Sequence, residues 1–452
     1  MLAVPLTLIA GTWSGARAQW RDHRGDEKVV LHKLLDVQST TGIGAFDISF
    51  DDPKLGLYIL ADRTNASVDL VDAEDATFLG RIGAKCPAGN PAPHFCFQGV
   101  VLNPPVPPAT VGTANNNLSG PDGDVIVGHK EIWAGDGDSR IKVIDIATKS
   151  FVTTISTGGK FRVDEMAYDP RDHIIAAANN ADTPPFVTLF DTQKRTIIGQ
   201  MVFATSTTGS VCAASPAPAW PCTAAGVDAT NGIEQPQYSS KTGLFYVSVP
   251  QVGSDTTVGG ISVIDPKTMK VIRTLLVHDC SPAGLALGPN NEALAGCSSA
   301  FGTPATTITV MVDLTSTKTT LDGAVVATVP IGGSDEVWYD KGTNHYFLGA
   351  RGTLVGGKVT PILGSIDASS HKLDPSATTS TTAHSVAADA ESHYVFVPIG
   401  FVPSTSPAGT DPTNPCPKLG CIAVFRAHSE EADRHDHDRD RDHDHDHYAY
   451  GH

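Results

Sequence analysis

With 452 residues, 40% of them apolar and 18% charged, the chain can build one large β domain or two ordinary ones. The formal net charge of -17 argues against nucleic acid as a partner, because phosphate binding needs a basic surface. It permits cationic ligands or metal ions, and solubility alone accounts for it as well. Gly (43) and Pro (31) are plentiful and no long stretch carries helical periodicity, so the expectation is an all-β fold.

The N-terminus carries an apolar run from Leu2 to Ala10, then Ala16-Arg17-Ala18, an A-x-A cleavage pattern. Residues 1–18 therefore read as a signal peptide without the usual basic start, and the mature chain begins near Gln19. This run is too short to span a membrane and no later segment is apolar enough, which predicts a secreted or periplasmic protein with no integral membrane segment. The eight cysteines fall in local pairs, Cys86 with Cys96, Cys212 with Cys222, Cys280 with Cys297 and Cys416 with Cys421. In an exported chain lacking C-x-x-C they read as disulfides, each clipping a loop, although spacing alone leaves the connectivity open.

From residue 29 to 428 a pattern recurs. A short opening strand (Phe46 to Phe50, Glu165 to Tyr168, Gln235 to Tyr238) is followed by a second (Leu57 to Leu60, Glu131 to Ala134, Leu244 to Val247). A third strand ends in Asp: Val68 to Asp72, Ile141 to Asp145, Val187 to Asp191, Ile261 to Asp265, Thr309 to Asp313 and Leu363 to Asp367. The seventh copy, Ile422 to Phe425, ends in Arg426 instead. Four short strands per unit of about 40–50 residues are the signature of a propeller blade. Seven units begin near Gly42, Phe97, Lys160, Gly232, Cys280, Gly333 and Ala383. The last lacks a fourth strand, and Val29 to Leu35 is a spare one. The prediction is a seven-bladed β-propeller closed by an N-terminal strand, which removes the exposed edges.

Stretches such as Glu131 to Asp145 (EIWAGDGDSRIKVID) resemble the YVTN-type β-propeller repeat proteins, a likeness over about residues 29–428 that implies fold more than function. Pro- and Gly-rich loops (104–123, 205–231, 404–420) are expected to decorate one face, where a small molecule or a protein would bind, or to be plain connections.

Aligning the opening strands on their turn residues (Asp51, Asn103, Asp169, Ser239, Gly288, Asp340, Asp389) puts Phe46, Gln98, Asp164, Glu234, Ala283, Asp335 and His384 five positions earlier. In a propeller these positions gather at one mouth of the central channel, so Asp164, Glu234, Asp335 and His384 converge. Asp47, Glu165 and Glu336 follow at the next position. Converging carboxylates repel in a partly dry channel, and a divalent ion (Ca, Mn, Fe or Zn) offsets that. A wet channel mouth also holds polar residues without any ligand. The segment Gly232 to Ser239 resembles the Glu-Gly-Pro segment of the gluconolactonase / senescence-marker-protein propellers, which implies a metal-ligand role for Glu234 and, by position, Asp164 and Asp335. It departs from that pattern in Gln235, in blade count and in His384. His173, His345 and His393 follow the first strand of their units and are expected at the surface.

Beyond Ala427 the chain turns acidic and His-rich. Residues 429–452 are expected to be disordered, with His435, His437, His443, His445 and His447 able to capture metal loosely or simply to titrate near neutrality. There is no G-x-S-x-G, H-E-x-x-H, Walker or C-x-x-C-H motif. The leading reading is an exported binding or scaffold protein. The alternatives are a metal-dependent, lactonase-like hydrolase with Glu165 or Glu336 as base, and a metal-handling protein using the tail.

Overall fold

The computed structural model describes residues 29–89, 94–298, 308–401, 413–416 and 419–427. The expected signal peptide and His-rich tail lie outside these residues. Seven sheets form the blades of a propeller ring, with innermost strands Ser49–Asp52, Asp124–Val127, Met166–Asp169, Pro236–Ser239, Ser281–Leu287, Val337–Asp340 and Ala387–Ala388 in blades one to seven. Among the described residues there is no α-helix, only three short 3-10 turns.

The recurring Asp has a local cause. The carboxylates of Asp72, Asp145, Asp191, Asp265, Asp313 and Asp367 each accept a backbone N–H two or three residues on, from Glu74, Thr148, Lys194, Lys267, Thr315 and Ser370. Each thereby caps the turn that leads from the third strand to the fourth. In blades one to five the third strand also meets the fourth with a register shift at the same place, for example Val143/Ile144. Blade seven has no such turn. Its third strand, Cys421–Ala427, pairs antiparallel with Val29–Leu35 from the chain's beginning. Arg426 stands where the others have Asp, and the fourth strand of this blade comes from residues 29–35 rather than from a hairpin.

The core is divided into seven apolar clusters, one between each pair of neighbouring blades. Each sheet is covered on both faces, so its middle strands are near-continuous apolar runs, such as the fully buried Leu57–Asp62. Outer strands alternate exposed and half-buried residues, as in Ser150–Ser156. Tyr58 of blade one stacks on Phe396 of blade seven at 4.6 Å, across the seam where the ring closes.

All four expected cysteine pairs are disulfides. The pair Cys280–Cys297 departs from the expectation of a loop clip. It ties the beginning of blade five's innermost strand to the end of its second strand, Glu292–Ser298.

Two features of the sequence alignment are corrected. In blade one the turn residue is Asp52, whose Oδ1 accepts the Lys54 N–H, just as Asp169 accepts from Arg171. Asp47, rather than Phe46, is therefore the counterpart of Asp164. In blade two the innermost strand is Asp124–Val127, and Gln98 and Asn103 belong to the long connection before it. A strand-like apolar run at 97–102 mimicked the repeat, but it enters the insertion instead, where Leu102 bridges to Ala114. Asp122 takes the ring position. Its N–H donates to Gly135 O as those of Asp47, Asp164 and Glu234 donate to Ala61, Ala178 and Ser248. Close approach sets the neighbouring glycine, because a Cβ on Gly123 would lie 1.9 Å from the Asp164 carbonyl oxygen.

Strand direction separates the two ends of the ring. The long connections 83–123, 203–235 and 351–361 leave at the end where the innermost strands begin. The turns 53–56, 128–130, 170–173 and 240–243 close the opposite end.

Candidate functional site in the central channel

The loop-rich mouth holds the residues the sequence pointed to. Asp164, Glu234 and Asp335 line one small cavity there together with Asp47 and Glu165. His384 stands beside it, with its Nε2 3.8 Å from Asp47 and its ring stacked on Phe46 at 4.5 Å. The sequence alignment did not show the arginines. Arg63 pairs with both Asp47 and Asp122, and its Nε donates to Asp122 at 2.9 Å. Arg162 reaches Asp164 at 2.7 Å and Asp47 at 3.2 Å, and Arg351 lies 3.5 Å from Asp335. Asn180 donates to Asp164 and to both oxygens of Glu234 at 3.3 Å.

Charge at this mouth is thus balanced from within. Burial would raise Asp47, but Arg63, Arg162 and His384 hold it below the usual carboxylate range. Burial pushes Asp164 up to about 7 against the pull of Arg162. Burial, then the nearby Asp164 and Asp335, raises Glu234 well above its ordinary value, against the pull of Arg162. Burial, then Arg351, lowers His384. Among the described residues no group of three His, Cys, Asp or Glu is arranged to hold a metal ion. Guanidinium groups pair with Asp164 and Asp335, two of the carboxylates such an ion would take, while Glu234 accepts from the Asn180 amide. His435, His437, His443, His445 and His447 lie outside the described residues. His345, expected at the surface, is buried; its Nδ1 sits 2.6 Å from Thr343 O and its Nε2 2.7 Å from Asp374.

The two candidate bases have different surroundings. One oxygen of Glu336, Oε2, accepts from Ser49 N (3.3 Å), Ser49 Oγ (3.1 Å), Val386 N (3.0 Å) and Ser385 Oγ. This carboxylate ties blade six to blades one and seven. Burial still pushes it up to about 8, against the pull of those donors. Gln235 plays a matching part, accepting from Leu285 N at 2.6 Å and Val337 N at 3.2 Å and so joining blades four, five and six. Glu165 is 3% exposed, and its Oε2 accepts no hydrogen bond.

A second channel cavity lies toward the short-turn end and has a volume of about 440 Å³. Half-buried aromatic rings from four blades line it: Phe50, Tyr168, Tyr238, Trp338 and Tyr339. Phe50 and Trp338 meet edge to face at 5.4 Å. Asp124, Glu165 and Glu336 also line it. Asp124 is 1% exposed and neither of its oxygens accepts a hydrogen bond. Burial, and after it Glu336, raises Asp124 well above the carboxylate range. Sequence reasoning missed this site because it aligned only the beginnings of the innermost strands. The signal was present at their other ends, where an aromatic residue falls one or two places before the turn in blades one, three, four and six.

No protein-family model matches the chain, and no curated protein matches it. Solved structures match it as propellers. The structure of U3-55K aligns with a TM-score of 0.54 at 10% identity, covering 87% of this chain and 98% of that one. A chain of the mitotic checkpoint complex aligns at 0.53 and 11% identity over 94% of this chain and 100% of its own length. A chain of the Kuenenia stuttgartiensis hydrazine synthase aligns at 0.54 and 12% identity over 81% of this chain and 94% of its own. Such likeness shows the fold alone, and neither resemblance drawn from the sequence gains a family from it.

Proposed function

We propose that the protein is an exported binding propeller whose site for a small molecule is the aromatic-lined cavity at the short-turn end of the channel. One observation carries this reading: a cavity of about 440 Å³ in which aromatic faces meet buried carboxylate oxygens that have no protein partner. Small-molecule sites are concave, mostly apolar, and oriented by a few polar groups. Unpaired buried acceptors are costly, and a ligand that donates to them removes the cost. Export is supported by the four disulfides and by the apolar run at the N-terminus.

The test is a thermal-shift screen of the full chain against a small-molecule library, repeated on Ala167→Trp, which places a bulky ring at the cavity wall beside the core between blades three and four, once that variant is shown to melt cooperatively as the parent does. Hits that stabilise the parent and lose their effect in the filled variant support the site. Hits that ignore the filling place binding elsewhere.

A second reading is protein contact at the loop-rich face, favoured by apolar side chains held out on its connections. Leu102, Val106 and Val111 are 51%, 77% and 68% exposed. The lactonase-like reading requires an ion at Asp164, Glu234, Asp335 and His384, where Arg162 and Arg351 already supply positive charge. Metal analysis of purified protein decides it: one tightly held ion per chain, lost in Glu234→Ala, would restore that reading.

A further inference from the structure

The two ends of the channel handle negative charge differently. At the loop-rich mouth, Arg63, Arg162 and Arg351 pair with the carboxylates. In the aromatic cavity, five buried carboxyl groups (Asp51, Asp52, Asp124, Glu165 and Glu336) belong to a lining that contains no Lys or Arg among the described residues. Its one basic ring, His129, stands at the rim and is taken by Asp52, 2.6 Å from its Nδ1. Glu336 has its own donors, but both oxygens of Asp124 and one of Glu165 have none.

We propose that the cavity binds a small organic cation, a primary ammonium or guanidinium group carrying an apolar body. This rests on the cavity being the ligand site. The charged head would lie against Asp124 and Glu165, and the body among Phe50, Tyr168 and Trp338. Three physical terms favour that class. A cation in a desolvated site gains charge-assisted hydrogen bonds from unpaired carboxylates. Aromatic faces attract cations through their quadrupole, Trp most strongly. An anion would meet like charge with no basic group to offset it, and a neutral body would leave the carboxyl oxygens unpaired. An inorganic ion suits the site less, since the described residues offer no group of three His, Cys, Asp or Glu arranged for one. The disfavoured ionisation of Asp124, raised by burial and then by Glu336, is consistent with a carboxyl group that lacks a counter-charge.

The experiment is calorimetric titration of the full chain with phenethylamine, 2-phenylethanol and phenylacetate, which share one body and differ in charge. Agmatine, cadaverine and choline extend the cationic set. At least one amine is expected to bind, more tightly than its neutral counterpart by about tenfold or more. Asp124→Asn, close to isosteric and free of a buried charge, is expected to fold and to erase that preference. Trp338→Leu is expected to weaken every cation while sparing the preference over the anion. Equal or tighter binding of the alcohol or the carboxylate overturns the proposal. So does the absence of any amine binding when the library screen yields neutral or anionic hits lost in Ala167→Trp, an outcome that leaves the cavity standing as a site. No hits sensitive to Ala167→Trp in any class would overturn both readings.

Discussion

Replacing Asp51 with Asn isolates one buried carboxyl group at the short-turn end. Asp51 is 2% exposed, and its side chain lies against the carboxyl group of Asp389. Burial, then the neighbouring Asp389, pushes it from 3.8 up to about 9. The sign follows from proton counting. Folded Asp51 keeps a proton that the unfolded chain releases above pH 3.8, so the fold is favoured at low pH and loses stability as pH rises toward about 9. At about 1.4 kcal/mol per pH unit, the interval from 3.8 to neutrality amounts to about 4 kcal/mol. Relaxation around the site lowers that to about 2–4 kcal/mol. Asp51→Asn keeps the shape and removes the ionisation. It should therefore be more stable than the parent by an amount that grows between pH 5 and pH 8. Equilibrium urea denaturation at a series of pH values measures the difference directly, and comparison with the parent cancels the contributions of the other buried acids. A difference that stays constant across that range would refute the reasoning, because Asp51 would then titrate alike in both states.

Other consequences concern stability and closure. Lys142 is fully buried with its Nζ 3.2 Å from Asp136 and 2.9 Å from Asp138. Lys142→Met should cost about 3–5 kcal/mol in denaturant unfolding, and adding Asp136→Asn should recover much of it; a single variant as stable as the parent would show that the carboxylates find other partners. Removing Val29 to Leu35 leaves the third strand of blade seven as an open edge. We expect aggregation or a lost cooperative melt, read by size-exclusion chromatography and circular dichroism, whereas an unchanged monomer would mean that the ring does not depend on that clasp.

Much of the fold was legible because the repeat is local chemistry. An Asp ending a strand caps its own turn, and it does so six times over, so the pattern survives in the sequence. The leftover strand at residues 29–35 and the missing strand in the last unit implied each other, and the cysteine pairs were close enough to read. Blade two was misread because the run at 97–102 has strand-like composition, and nothing local distinguishes an insertion from a blade. In blade one, two consecutive aspartates, Asp51 and Asp52, offered two turn residues, and only the hydrogen bond to Lys54 selects the second.

The site divides in the same way. The sequence by itself determined that acidic residues recur at the start of the innermost strands, and the ring geometry then brings Asp164, Glu234 and Asp335 to one mouth. Only the tertiary structure decided what balances them. Arg63 and Arg351 each follow directly on the second strand of their blade and pair with Asp47 and Asp335 of that blade, as Arg162 does with Asp164. The repeat requires no basic residue at these places, and the pairings of Arg63 with Asp122 and of Arg162 with Asp47 join different blades. The same holds for the aromatic cavity, whose walls come from several blades. A repeat records what each blade needs to fold its own turns. The ion pairs that cross blades and the shared cavity belong to the closed ring, because they arise between residues that separate blades bring together.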